Sequence, residues 1–313
     1  MKHANSARRG PRRESIADRG MFGFLVVDKP AGVTSRDVVN QVQRTVRPHK
    51  VGHAGTLDPL ATGVLLLALG PATRLIDHLH RLSKRYEATF LLGRSSDTED
   101  VEGQVVELAD APHITRSMLE DVLPRFLGAQ DQVPPIYSAL KVNGRRAYAL
   151  ARAGQAVALA ARRIVVHTLE LSGFDYPQMR LTIECSSGTY VRSLGRDLAR
   201  VLNTEAVMSA LRRTSIGPFT LDRAIPLGPA TLDHIRQNLI DPLVGLADLT
   251  QRRLTPELVA RLRNGQTIPL ADGDEGEQIA ALDPRGRLTA ILSRREPGYW
   301  RPLMVFPATD EVT

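Results

Sequence analysis

The chain has 313 residues, 42% apolar and 24% charged, enough for packed cores in one large domain and a small one. A single cysteine, Cys185, excludes a disulfide framework and a cysteine-built zinc site, and it fits a reducing cytoplasm. No stretch supplies the roughly 20 apolar residues of a membrane span, and the net charge of +7 directs attention to anionic partners.

Residues 1–20 carry six Lys/Arg against two Asp/Glu, a local +4 that leaves only +3 for the rest of the chain. The segment lacks the apolar stretch of a secretory signal and reads as a disordered basic arm, either a solvated tail or a contact for phosphates. From Phe24 the chain starts a buried strand that breaks at Lys29-Pro30 and turns at Gly32. Val38, Val42 and Val46 then recur at helical spacing, with Thr34 or Ser35 as N-cap.

The stretch GHAGTLDPLATGVLLLALG, residues 52–70, sets one carboxylate, Asp58, between a glycine-threaded turn and an apolar run, Val64 to Leu69, that has the length of a core strand. Leu75, Ile76, Leu79 and Leu82 share a helical face, and Tyr86, Ala88, Phe90 and Leu92 share one face of a strand. Residues 110–148 read as a helix followed by a Pro- and Gly-bearing excursion. Gln132 to Leu169 holds Lys141, Arg145, Arg146, Arg152, Arg162 and Arg163 and no acid, which suggests a polyanion partner. Met179 to Cys185 alternates as a strand, followed by helical spacing at Val191, Leu194, Leu198 and Val201.

Strands and helices thus intermix without a regular βαβ rhythm, which favours an α+β fold, a sheet with helices packed against it. Near residue 250 the texture changes. Thr255 can cap a helix, Pro256 sits at its first position and Gly265 follows its end. Two strands around Pro284 to Arg287, and a third over WRPLMVF, complete a small β-rich module.

Chemistry has few candidates. His53 and Asp58 could ligate a metal, but His78 and His80, two apart on a helix, face different ways. The acids of SDTEDVEG, Ser96 to Gly103, lack the register of a calcium loop, and no Gly-Lys-Ser/Thr follows the glycines to make a phosphate loop. Glycoside-type hydrolysis needs a second carboxylate that nothing places beside Asp58, and no nucleophile elbow exists for a serine triad. A lone aspartate with a reference pKa near 3.9 is ionised at neutral pH and can serve as a nucleophile or cation stabiliser. The plainer reading of the Asp-Pro step is a turn or cap carboxylate, and of Tyr86 a core aromatic. Arg192 is set early in a helix, where the macrodipole disfavours a cation, so an anionic partner explains it better than solvent.

Six stretches, GFLVVDKPAGVTS, GHAGTLDPLATGVL, KRYEATFLLG, SSDTEDVEG, SGTYVRSLGRDL and LRRTSIGPF, resemble in order and spacing the TruB-type tRNA pseudouridine synthases. The resemblance covers about residues 22–248, and the tail beyond 250 is similar to that family's PUA-type RNA-binding module. It implies a pseudouridine synthase fold, a mixed, largely antiparallel sheet flanked by helices. The domains expected are a basic arm over 1–20, a catalytic domain over 21–248 with a thumb-like insertion at about 129–160, and the PUA-like module over 249–313. The implied activity is isomerisation of the uridine at tRNA position 55, in the T-loop, by base flipping, without cofactor or metal, in a cytoplasmic monomer.

By the same resemblance Asp58 is the catalytic aspartate, and the substrate-side residues are His53, Tyr86, Tyr190, Arg192, Leu211 and Lys29. His53 would fill the space left by the flipped base or stack within the loop, and Tyr86 would stack on the uracil. Tyr190 and Leu211 would line the pocket, Arg192 would pair with Asp58, and Lys29 would brace the site from the first motif.

Phosphate contacts release counterions, so tRNA affinity should fall with salt at a slope of roughly −0.7 to −0.9 per contact. Replacing both Arg145 and Arg146 by Ala should flatten that slope by about one to two units and leave the rate at saturating tRNA nearly unchanged. Trimming residues 1–20 should matter less. A salt titration of the three proteins checks this, and a slope that changes only on trimming would move the grip to the arm.

Overall fold

A computed structural model describes residues 21–138, 140–142, 145–146, 159–270 and 276–307. The basic arm and most of the expected thumb tip therefore lie outside the described residues.

The main sheet is built from β1 (Gly23–Lys29), β2 (Val51–His53), β3 (Thr62–Leu69), β4 (Lys84–Leu92), β5 (Gly128–Gln132), β6 (Arg162–Asp175), β7 (Gln178–Cys185), β8 (Ala206–Ile216), β9 (Phe219–Thr220) and β10 (Ile225–Pro226). Their order is β10-β1-β3-β8-β4-β7-β6-β5, with β2 also on β3 and β9 on β8. Only the β1–β10 and β3–β8 pairs are parallel, so the sheet is mixed and largely antiparallel, as the family resemblance implies.

β3 explains its own composition. Val64, Leu66 and Ala68 enter one core while Leu65, Leu67 and Leu69 enter another, so both faces are covered and no polar alternation survives. β4 does alternate, with Tyr86, Ala88 and Phe90 inward and Arg85 and Glu87 exposed.

Helix α1 (Ser35–Thr45) is capped by Thr34, whose side chain accepts the Asp37 N–H while the Asp37 carboxylate accepts the Thr34 N–H. The expected helix after β3 is split into a 3₁₀ segment, Gly70–Leu75, and α2 (Ile76–Arg81), because Pro71 tightens its first turn. A short α3 (Arg116–Val122) and the longer α4 (Val191–Val201) cover the β4–β7 face, with Leu119, Leu194 and Leu198 meeting Phe90, Met179 and Leu181.

The second sheet combines Thr250–Arg253, Gln278–Leu282, Leu288–Glu296, Tyr299–Val305 and Ile268–Pro269 in that order across the sheet, with a helix over Pro256–Arg263. Thr255 caps this helix and Gly265, at φ +74°, follows its end. The module is not a separately packed bead. Ala280, Leu282, Ile291 and Phe306 share a core with Phe24, Leu66 and Phe219 of the main sheet. Phe306 stacks on Phe22 at 5.1 Å, and the Arg74 guanidinium lies 5.4 Å above its ring.

Helix α4 approaches the sheet so closely at Gly195 that a Cβ there would overlap the Phe90 ring. Gly195→Ala gains about 1 kcal/mol of helix propensity and loses about 1–3 kcal/mol to overpacking. Net destabilisation, read as a lower urea midpoint, is the expected result despite the better helix former.

Candidate active site

One edge of β3 is shared. β2 pairs with its C-terminal half, ending at His53↔Leu67, and β8 pairs with its N-terminal end at Arg212↔Thr62 and Arg213↔Gly63. Residues 54–61 leave the sheet between these two pairings and carry Asp58 outward. Arg213 fills the junction, almost fully buried, with Nε donating to the Val64 carbonyl at 2.7 Å and Nη2 to the Gly55 carbonyl at 3.0 Å. Gly63, at φ +94°, can only be glycine, because a Cβ there would overlap the Arg213 carbonyl.

The turn itself is gripped from the first motif. Ser35 Oγ accepts the Leu57 N–H at 2.8 Å and donates to the Leu57 carbonyl at 3.0 Å. The Gly32 N–H donates to the Pro59 carbonyl, and the Ala61 N–H closes the turn on the Asp58 carbonyl. Lys29 is fully buried, its ammonium donating to the carbonyls of Pro30, Val33 and Pro59 at 2.9, 2.7 and 3.3 Å. All three donors are spent on main chain, and Lys29 is not in the cavity wall. Its expected place among substrate-side residues is corrected accordingly, while its bracing of the Asp58 turn is direct.

Held this way, the Asp58 carboxylate projects from the turn, 41% exposed, and meets Arg192 Nη2 at 2.9 Å. Arg192 is buried. Its Nη1 stands 3.5 Å from the Asp100 carboxylate and donates to the Thr98 carbonyl at 2.6 Å, and its Nη2 donates to the Tyr137 carbonyl at 3.2 Å. Two carboxylates thus offset both the burial of the guanidinium and its place in the first turn of α4. The 96–103 loop is tied to the same helix by Glu99, which accepts from Ser193 Oγ at 2.7 Å and pairs with Arg196.

Asp58, Tyr86, Tyr190, Arg192, Leu211 and Arg213 line a cavity of about 500 Å³. Clefts of similar size occur elsewhere, but among the described clefts only this one holds the Asp58 carboxylate. Burial raises the Tyr86 phenol above its ordinary pKa, with the neighbouring Arg213 opposing the shift. Tyr190, the residue before α4, is fixed by Gln132, which bonds both its N–H and its carbonyl at 2.8 and 3.0 Å. The Arg162 guanidinium stacks 5.5 Å from the Tyr190 ring centre. His53 does not join this wall. It lies half-buried on β2, where burial lowers its imidazole pKa.

Sequence reasoning missed Asp100, Arg213 and Lys84, which all belong to this neighbourhood. The signal for Arg213 was strand alternation. In Arg212-Arg213 successive side chains point to opposite faces, and Arg212 pairs with Asp28 at 3.0 Å while Arg213 turns inward.

Among the described residues the cavity wall holds one carboxylate, Asp58, beside the buried Arg192, with the Tyr86 and Tyr190 aromatics and further cations, Lys84, Arg162 and Arg213, around it. Residues 43–191 match the TruB family pseudouridylate synthase N-terminal domain, and residues 249–307 match the tRNA pseudouridine synthase II C-terminal domain. The chain belongs to the TruB family of pseudouridylate synthases. It is 39% identical over 307 residues to tRNA pseudouridine synthase B of Arthrobacter sp. strain FB24, covering 93% of this chain and 98% of that one. To tRNA pseudouridine synthase B of Thermobifida fusca strain YX it is 42% identical over 295 residues, covering 91% and 98%. The fold matches the crystal structure of an archaeal box H/ACA sRNP Nop10–Cbf5 complex with TM-score 0.69 at 22% identity, over 98% of this chain and 94% of that one.

Lys29→Met removes the donor shared by the Pro30, Val33 and Pro59 carbonyls, of which Pro59 keeps the Gly32 N–H, and each carbonyl that no other group reaches should cost about 1–3 kcal/mol. Thermal stability and turnover should therefore fall together. A variant with wild-type melting and a selective loss of turnover would instead place Lys29 at the substrate.

Proposed function

We propose that this TruB-family synthase isomerises uridine 55 in the T-loop of tRNA, flipping the base into the Asp58 cavity and rearranging its glycosidic bond from N1 to C5. The observation that carries the reading is the Asp58–Arg192 pair at the cavity rim with Tyr86 buried behind it. Extruding a base costs a few kcal/mol of unstacking. An aromatic platform returns about 1–3 kcal/mol per stacked base, so Tyr86 and Tyr190 can offset most of it. Once the C1′–N1 bond is broken, the sugar is an electrophile that water would convert to an abasic lesion, and the apolar wall of Leu211 and Tyr86 limits water there. The reaction is redox-neutral, so it requires no electron-carrying cofactor.

Asp58 is the nucleophile or the stabiliser of the sugar cation, and Arg192 fixes its orientation. The insertion around 129–160 serves as a thumb over the RNA loop, and the 249–313 module, with its PUA-like character, serves as a second RNA contact. The protein works as a cytoplasmic monomer, where a buried Cys185 thiol, pushed up to about 11, is protected from oxidation.

Asp58→Asn keeps shape and removes charge. It should abolish release of tritium from C5-labelled uridine in an unmodified tRNA transcript and leave tRNA affinity within a few-fold of wild type. In parallel, Tyr86→Ala should weaken binding by about 1–3 kcal/mol while Tyr86→Phe preserves it. Turnover of Asp58→Asn above about a hundredth of wild type would remove the carboxylate from the chemistry, and pseudouridine at another position would redirect the target.

A further inference from the structure

Four cations line the Asp58 cavity, and two already have partners. Arg192 faces Asp58 and Asp100, and Arg162 stacks on Tyr190. Lys84 and Arg213 have no carboxylate within ion-pair distance among the described residues. Yet both are almost fully buried. Burying a cation without a counter-charge is costly, and it persists where the missing anion arrives with the substrate.

The geometry places the two together on one wall. Lys84 and Tyr86 share the inward face of β4, and across the sheet Arg213 is the registry partner of Tyr86. The Lys84 ammonium donates to the carbonyls of His80 and Leu82 at 2.9 and 2.5 Å, which leaves one of its three donors for the cavity. Cys185 is its registry partner on β7, and Asp58 and Arg192 line the same cavity.

The reaction produces an anion at this spot by either route open to Asp58. If the carboxylate attacks C1′, the C1′–N1 electron pair leaves with the ring and spreads from N1 to O2 and O4. If it adds to C6, the displaced pair reaches O4 as an enolate. In both, the C1′–N1 bond breaks, C5 bonds to C1′, and Asp58 leaves as the free carboxylate, displaced from C1′ in the first route and expelled from C6 in the second; the C5 proton is lost to a base, N1 gains a proton, and the sum is an isomerisation.

Building on the proposed reaction, we infer that Lys84, with Arg213 beside it, is the counter-charge for the uracil ring anion, and that Lys84 acts as the ammonium. Burial, reinforced by Arg213, lowers the Lys84 pKa to about 8, while the Cys185 thiol sits at about 11 and burial raises the Tyr86 phenol. Lys84 is then the group that changes charge just above neutrality in this wall. The ammonium is present below that pKa and lost above it, so chemistry should slow as pH rises.

The test is single-turnover pseudouridine formation on saturating tRNA transcript from about pH 7 to 9.5, for wild type, Lys84→Met and Asp58→Asn, with tRNA affinity and melting measured alongside. Wild type should lose rate as pH rises through about 8. Lys84→Met should be at least about tenfold slower at the low end, bind tRNA within about threefold, and show no such limb. A Lys84→Met enzyme with the wild-type rate and the wild-type limb overturns the inference, since a merely structural lysine would leave the profile alone. If that variant does not melt cooperatively, the wild-type profile decides: a limb near 8 supports the counter-charge and a flat profile overturns it. Wild type inactive on the transcript at every pH would sink the proposed activity instead, a result separable from an active wild type whose Lys84→Met variant is indistinguishable.

Discussion

Everything in the site depends on one buried guanidinium. Removing Arg192 from water costs several kcal/mol, and the cost is tolerable only because two carboxylates and two carbonyls surround it. Those four partners come from distant segments: the Asp58 turn, the 96–103 loop and the foot of the insertion at Tyr137. A guanidinium presents its donors in a fixed planar fork, so these four contacts together fix where each segment lies. The Asp58 carboxylate is therefore aimed by a residue 134 positions further along the chain, and the helix that carries Arg192 is itself seated by the contact between Gly195 and Phe90.

A second buried arginine does a different job. The edge of β3 passes from β2 to β8, and the segment between them must leave the sheet with its carbonyls satisfied. Arg213 bonds the carbonyls of Val64 and Gly55, so the gap that releases the Asp58 turn is also sealed. Glycine at 63 is the condition for this arrangement, because the β8 main chain lies where its side chain would be. The open turn and the closed core beside it are consequences of the same contact.

Much of this was legible in the sequence, for physical reasons that differ by residue. Alternation in 84–92 and helical spacing in 191–201 identified the two faces that meet in the largest core, because burial on one side writes a period into the chain. The misplaced charge of Arg192 announced an anion, and Asp58 and Asp100 are there. β8 and β6, by contrast, read poorly as strands. Arg212 and Arg213 interrupt β8, and β6 opens on Arg162 and Arg163; of these Arg162 and Arg213 serve the cavity rather than a core. Lys29 shows a different limit: a lysine before a proline looks like a surface residue, and only the tertiary path of three carbonyls shows why it is buried. Nothing local distinguishes a lysine that braces a turn from one that faces a ligand.

The insertion is attached to the site in a way that composition could not show. Its foot enters through β5 and leaves through β6, which pair directly from Arg162↔Gln132 to Val166↔Gly128. Gln132 at the end of that pairing holds both main-chain groups of Tyr190, Arg162 stacks on the ring of the same tyrosine, and Tyr137 gives its carbonyl to Arg192. Tyr190, just before α4, and Arg192, in its first turn, both line the Asp58 cavity and are thus also the residues on which the 128–138 segment rests. A shift of its foot must break a hydrogen bond to Tyr190 or to Arg192, and Arg192 carries the orientation of Asp58. Residues 128–138 and the placement of the carboxylate are therefore linked through Tyr190, just before α4, and Arg192, in its first turn, whereas the C-terminal module joins the main sheet through a shared apolar core around Phe306.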